Sequence, residues 1–144
     1  MNFLANQKLT RVEPAAVAAQ TLLTSDVIDM KGFDGVSFVA LLGDVSDTCV
    51  LTLQAQQGDQ SDGSDAANLS GVAATFTAGA TDADDNMLAL EVFRPTKRYV
   101  RVTLARTTAN AVVDGIVAVQ SSPAEAPVTQ DASVLATDFA LSPA

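Results

Sequence analysis

Apolar and polar residues alternate along several short stretches of the chain, as they do in β-strands with one buried and one solvated face. The alternation is strict in Leu51-Thr52-Leu53-Gln54-Ala55-Gln56. In residues 99–104, Val100, Val102 and Leu104 share one face and Tyr99, Arg101 and Thr103 the other. In residues 88–93 the inward set is Leu88, Leu90 and Val92. Residues 36–42 and 112–119 are apolar at nearly every position, which predicts central strands covered on both faces. Shorter runs at 21–23, 27–30 and 73–77 bring the expected total to about eight strands. No long segment carries a 3.6-residue apolar stripe, and residues 14–20 suit a short helix or an extended segment equally.

Turn residues separate these strands. Lys31-Gly32-Phe33-Asp34-Gly35 and Gly43-Asp44 punctuate the first half. Arg94-Pro95-Thr96-Lys97 is short enough to join 88–93 to 99–105 as an antiparallel hairpin. Residues 57–86 form a long acidic stretch rich in Gly, Ser, Ala and Asp, in which only 72–77 looks structured. Residues 122–144 hold three of the five prolines, yet also Val134, Leu135, Phe139 and Leu141, so this tail is expected to dock on a neighbour. Many short strands with polar turns predict an all-β fold, a single antiparallel β-sandwich of the jelly-roll type. The expected boundaries are an N-terminal arm at 1–15, a sandwich core at 16–121 and an extended C-terminal arm at 122–144.

With 144 residues and 48% hydrophobic content, the chain can bury one core of ordinary size. Composition then removes chemistry. The absence of histidine takes away the commonest general base, the Ser–His and Cys–His nucleophile pairs and the commonest metal ligand. A single cysteine, Cys49, leaves no intrachain disulfide and no Cys-based zinc or iron–sulfur site, and reads as a small buried hydrophobe. No phosphate-cradling glycine motif occurs. The expectation is a protein with no catalytic residue, no cofactor and no metal. A net charge of −9 repels nucleic acid and anionic membrane, so neither is an expected partner. Residues 1–8 lack the basic start and apolar core of a signal peptide, and no apolar run approaches the ~20 residues of a membrane span.

Two charged clusters remain. Asp59, Asp62 and Asp65 recur at every third position of a Gly- and Ser-rich loop that could offer oxygens to calcium. The spacing is not that of an EF-hand and no distal glutamate follows, so a solvated acidic loop is the simpler reading. A glycosidase-type carboxylate pair has less support still, because no aromatics flank the acidic clusters to stack a sugar. Arg94, Lys97, Arg98, Arg101 and Arg106 place five of the eight basic residues within thirteen positions. This cluster suits either a solvated hairpin whose charges deter edge pairing or a contact with acids on a protein partner, where arginine pairs bidentately with carboxylates. The candidate partner-contact residues are therefore Arg94, Lys97, Arg98 and Arg101, together with Val134, Leu135, Phe139 and Leu141.

Two motifs carry a family resemblance. The run Val27-Ile28-Asp29-Met30-Lys31-Gly32-Phe33-Asp34-Gly35-Val36-Ser37-Phe38 and the later Arg98-Tyr99-Val100-Arg101-Val102 resemble small structural proteins of tailed bacteriophages, over roughly residues 20–120. Some of these are capsid cement or decoration proteins. The resemblance implies a β-sandwich that assembles as a homotrimer on the capsid surface of the virion and bridges subunits of the major capsid protein. Such a protein is made in the host bacterial cytoplasm, and the resemblance brings no catalytic residues. The competing reading is a β-sandwich receptor- or carbohydrate-binding module of a phage tail or fibre.

Overall fold

A computed structural model of the protein describes residues 2–142. A single helical turn, α1 (Phe3–Asn6), is capped by the Asn2 side chain, which accepts from the Leu4 and Ala5 amides. Ten strands follow: β1 (Lys8–Glu13), β2 (Ala16–Ala19), β3 (Leu23–Thr24), β4 (Ile28–Asp29), β5 (Phe33–Val45), β6 (Val50–Gly58), β7 (Ala67–Thr77), β8 (Met87–Phe93), β9 (Tyr99–Thr107) and β10 (Ala111–Pro123).

All pairing is antiparallel and falls into two sheets. One runs β1-β10-β5-β8, with β2 also against β10; the other runs β3-β9-β6-β7, with β4 also against β9. β1 and β2 lie on the same side of β10 as one broken edge strand, and β3 and β4 do the same beside β9. Counted that way there are two sheets of four strands, a jelly-roll sandwich of the class expected from the sequence, although the eight expected strands count β3 and β4 separately and omit β1 and β2. Among the described residues, β6–β7 is the one hairpin between full-length neighbours in sequence. The other connections between long strands cross from sheet to sheet, which is how each strand finds a buried face.

The inward residues interdigitate between the sheets. Val36, Phe38, Ala40 and Leu42 of β5 and Ile116 and Ala118 of β10 meet Leu51, Leu53 and Ala55 of β6 and Val100, Val102 and Leu104 of β9. Val92 of β8 and Val12 of β1 complete the core at opposite edges. The alternation in residues 51–56, 88–93 and 99–104 therefore points as its pattern requires.

Three expectations change and one open alternative is decided. Residues 88–93 and 99–105 do not form a hairpin: β8 pairs with β5 and β9 with β6, so Arg94–Arg98 is an arch between the sheets. A short connection satisfies either geometry, and each strand's need for a buried face selects the arch. Arg94 takes a left-handed conformation, φ 52°, and its amide donates to Asp34 O at 2.6 Å, where the chain leaves β8. Residues 8–13, expected within an arm, are an edge strand with Val12 buried. Residues 14–20 are extended, with Ala16–Ala19 on β10. The outward residues of β5 are not covered: Val39 is half-buried and Leu41 is exposed.

Candidate interaction surface

Neither charged cluster survives as the loose patch that composition suggests. Arg106 is 2% exposed and belongs to the interior. Its guanidinium donates to Thr21 O at 3.0 Å, Val17 O at 2.9 Å, Ala111 O at 2.7 Å and Thr21 Oγ1 at 2.7 Å. It thereby ties the crossover from β2 to β3 onto β9 and the start of β10. Such a buried cation is tolerable because each of its three nitrogens is hydrogen-bonded to oxygen.

The other basic residues gather at the end of the sandwich beside the arch. Arg98 makes a two-pronged pair with Asp29, Nε to Oδ1 at 2.8 Å and NH2 to Oδ2 at 2.9 Å. That contact holds the Asp29 carboxyl below its ordinary pKa, the Arg98 hydrogen bond being the main cause. Met30 N donates to Arg98 O at 2.9 Å, and Ile28 and Asp29 pair with Val100 and Tyr99. Gln120, buried on β10, donates to Asp29 O at 2.9 Å and closes this end from the opposite sheet. The two sequence motifs behind the family resemblance are thus one structural unit, joined across 69 residues of chain.

Lys97 Nζ meets Asp59 Oδ2 at 2.7 Å, which raises the lysine pKa. Arg101 Nε donates to Gln56 Oε1 at 2.9 Å, and its guanidinium lies over Gly63, where a Cβ would collide with it. Arg94 stacks over the Phe93 ring, 5.2 Å from its centroid. Among the described residues, Arg94 and Lys31 make no ion pair and are exposed, so both are open to a partner. They line an open depression of about 520 Å³ with Met30, Phe33 and Pro95.

The acidic loop is occupied by its own backbone. Asp65 accepts from the amides of Asp59 at 2.8 Å and Gln60 at 3.0 Å, and Asp62 accepts from Ser64 N at 2.9 Å. These amide bonds lower both carboxyl pKa values. Asp59 faces Lys97, so the three carboxylates do not converge, and among the described residues no cluster of three acidic, Cys or His side chains could hold a metal. Cys49 is fully buried, and burial pushes its thiol pKa up, opposite to the shift that activates a nucleophile.

The C-terminal segment divides into two parts. Its first half is tied to the body in ways the sequence did not signal. Ala124 N donates to Gly32 O at 2.8 Å and Val128 N to Ala5 O at 2.9 Å. Gln130 then accepts from Leu9 N at 2.7 Å and donates to Leu4 O and Gln7 O, while Ser133 Oγ accepts from Arg11 N at 3.0 Å. The amides of Leu9 and Arg11 point away from β10, so two side chains of the segment cap the open edge of β1. Beyond Ser133 the hold ends. Val134 is half-buried, but Leu135 is 96%, Phe139 58% and Leu141 83% exposed. Residues 143–144 of the expected arm, and Met1 of the N-terminal one, lie outside the described residues.

No family model matches the chain, and no curated protein matches it. Among solved structures, the crystal structure of PBSX exported protein XepA matches 97% of this chain at 19% identity with a TM-score of 0.50. The chain corresponds to 45% of XepA, less than half its length, and at this identity the likeness is one of fold. Eiger TNF from S. frugiperda matches 83% of this chain and 99% of its own at 11% identity, with a TM-score of 0.35, too low to support an argument. Among the described residues no helix is long and apolar enough to cross a membrane.

Proposed function

We propose that the protein is a structural component of a tailed-phage virion, a cement or decoration protein that binds the major capsid protein lattice and copies of itself, without catalysis. The observation that carries this reading is the joining of the two phage-like motifs by the Asp29–Arg98 pair and the β4–β9 ladder. Residues that resemble one family at two distant places are here the two halves of one end of the sandwich. The fold likeness to XepA, a phage-related protein, is in keeping with a virion component and names no partner.

The physical demands of such a role also fit. A cement protein acts through contact area and rigidity, and needs a stiff body with segments that reach its neighbours. The sandwich supplies the body. Arg94 and Lys31 at the arch and the apolar residues after Ser133 supply surfaces that the chain itself does not satisfy. The reading places the protein on the outer surface of the capsid as a homotrimer.

Cryo-electron microscopy of the particle is the test. Regular density for the sandwich at lattice positions between capsid subunits, with loss of particle stability on its removal, is the expected result. Density confined to the tail, or a specific response on a glycan array, would overturn it in favour of a receptor-binding module.

A further inference from the structure

A sandwich of open sheets has edge strands, and unpaired edges are sites of association unless blocked. Three of the four edges here are blocked. The β1/β2 edge is capped by Gln130 and Ser133 over β1 and is broken by a register shift before the four residues of β2. The β3/β4 edge is broken into two pieces of two residues each. β7 is interrupted by a register shift and by Gly71 at φ +77°, with Gln54 Nε2 bridging Leu69 O and Val72 O across the irregularity.

β8 has no such device. Leu42 N bonds Asn86 O and Arg94 N bonds Asp34 O, in the same register as the β5–β8 ladder. Residues 88, 90 and 92 therefore turn their backbone groups to β5, and Met87, Ala89, Glu91 and Phe93 turn theirs to the open side. Met87 is 62% and Phe93 57% exposed. Leu88 and Leu90, though inward, are only half-buried because no strand flanks them. Beside them a cleft of about 230 Å³ opens between the sheets, lined by Leu42, Phe76, Ala83, Met87 and Leu88 among others.

The chain also contains a strand pattern without a strand. Over Val134-Leu135-Ala136-Thr137-Asp138-Phe139-Ala140-Leu141, residues 135, 137, 139 and 141 share one face and read Leu, Thr, Phe, Leu. The sole charge, Asp138, falls on the other face. We propose that residues 134–141 of one copy add as a strand to the free edge of β8 in a second copy, with Leu135, Phe139 and Leu141 over Leu88, Leu90 and the cleft, and Asp138 in solvent.

Geometry selects a second copy over the chain's own tail. Ser133 is fixed at β1, three strand positions from β8, a distance of ~14 Å at ~4.8 Å per strand. A residue spans at most ~3.6 Å, so about four residues after Ser133 are spent on the crossing: Leu135 cannot reach the β8 of its own chain, and the full strand 134–141 can lie along β8 only in another copy. The contact is head-to-tail, and its repetition closes a ring or extends a filament. This inference rests on the self-association part of the proposed function and not on the capsid.

Sedimentation velocity on the full chain, on the chain ended at Ser133, and on Phe139→Asp and Ala89→Pro tests it. Ala89 N–H points away from β5, so proline there removes a donor the guest needs and none that the ladder uses. The expected result is an oligomer in the full chain and monomers in all three variants. Should Ala89→Pro fail to fold, Ala89→Lys on the same edge takes its place. A monomeric full chain, or an oligomer that survives truncation, overturns the proposal. So does one lost on truncation but kept in both Ala89 variants, because the tail then docks elsewhere. Particle binding by the monomeric variants is scored separately: retained binding leaves the capsid reading standing, and an oligomer that binds no particle removes that reading alone.

Discussion

Arg106 offers the sharpest test of how the two sheets are held together. Replacement by methionine keeps much of the side-chain volume and removes the charge and four hydrogen bonds. The carbonyls of Val17 and Thr21 belong to exposed residues, so water can replace the guanidinium there. Ala111 is fully buried, and its oxygen loses a 2.7 Å partner. One orphaned buried acceptor costs about 1–3 kcal/mol. Releasing the 17–21 crossover adds about 1 kcal/mol of lost hydrogen bonding. Relief of the guanidinium's desolvation offsets part of the remainder. The net expectation is a destabilisation of about 1–3 kcal/mol, and at about 3 °C per kcal/mol a Tm drop of about 3–9 °C.

The partner substitution separates charge from geometry. Arg106→Lys retains the buried charge but replaces a planar fork by a single ammonium, which cannot address Thr21 and Ala111 as the fork does. It is expected to destabilise at least as much as Arg106→Met. Urea unfolding followed by far-ultraviolet circular dichroism, at fixed protein concentration, measures both. If methionine fell within about 0.5 kcal/mol of the parent, the range of an ordinary surface change, or if lysine restored full stability, the clamp would be refuted.

Three further outcomes follow from the same contacts. Burial, then the like charge of Asp26, raises the Glu13 pKa, so its ionised form opposes folding once the pH exceeds the ordinary carboxylate value. Glu13→Gln should therefore raise Tm at neutral pH, and the gain should vanish below that value; a gain that persisted in acid would point to packing instead. Gln130→Ala and Ser133→Ala should speed hydrogen exchange at the Leu9 and Arg11 amides while leaving Thr10, which faces β10, protected. Calcium should leave Tm unchanged, because Asp62 and Asp65 are committed to backbone amides and Asp59 to Lys97; a calcium-dependent rise lost in Asp65→Asn would show that the loop rearranges to bind it.

Much of the architecture was legible because burial imposes a period of two wherever one face of a strand is covered. All eight expected strands are present, and the inward residues of β6, β8 and β9 were identified from alternation alone. β1 was missed because Leu9-Thr10-Arg11-Val12 alternates poorly, its outward Leu9 lying on an apolar sheet face. β2 was ambiguous because alanine is a good helix former and packs equally in a thin edge strand. What local pattern does not encode is pairing. The five residues of the arch permit a hairpin, and only the sheet assignments of β8 and β9 forbid it. The local pairings of the basic residues were illegible for the same reason. Lys97 and Arg98 are matched with acids 38 and 69 residues away, and Arg106 leaves the surface altogether.

The same reasoning gives the C-terminal segment its meaning. Residues 134–141, if extended, place Leu135, Phe139 and Leu141 on one face and the sole charge, Asp138, on the other, yet among the described residues they pair with no strand of their own chain. Alternation is costly to keep in a solvated tail, since exposed Leu and Phe gain nothing from water and invite aggregation. Inside the sandwich, by contrast, every strand but β8 has its free edge blocked or broken, or is flanked by strands on both sides. A strand pattern lacking an edge and an edge lacking a strand occur in one molecule, with Ser133 anchored too far from β8 for the segment to pair along its whole length. Only contact between copies satisfies both, which is why the tail, and not the arginine cluster, is the feature that distinguishes this surface.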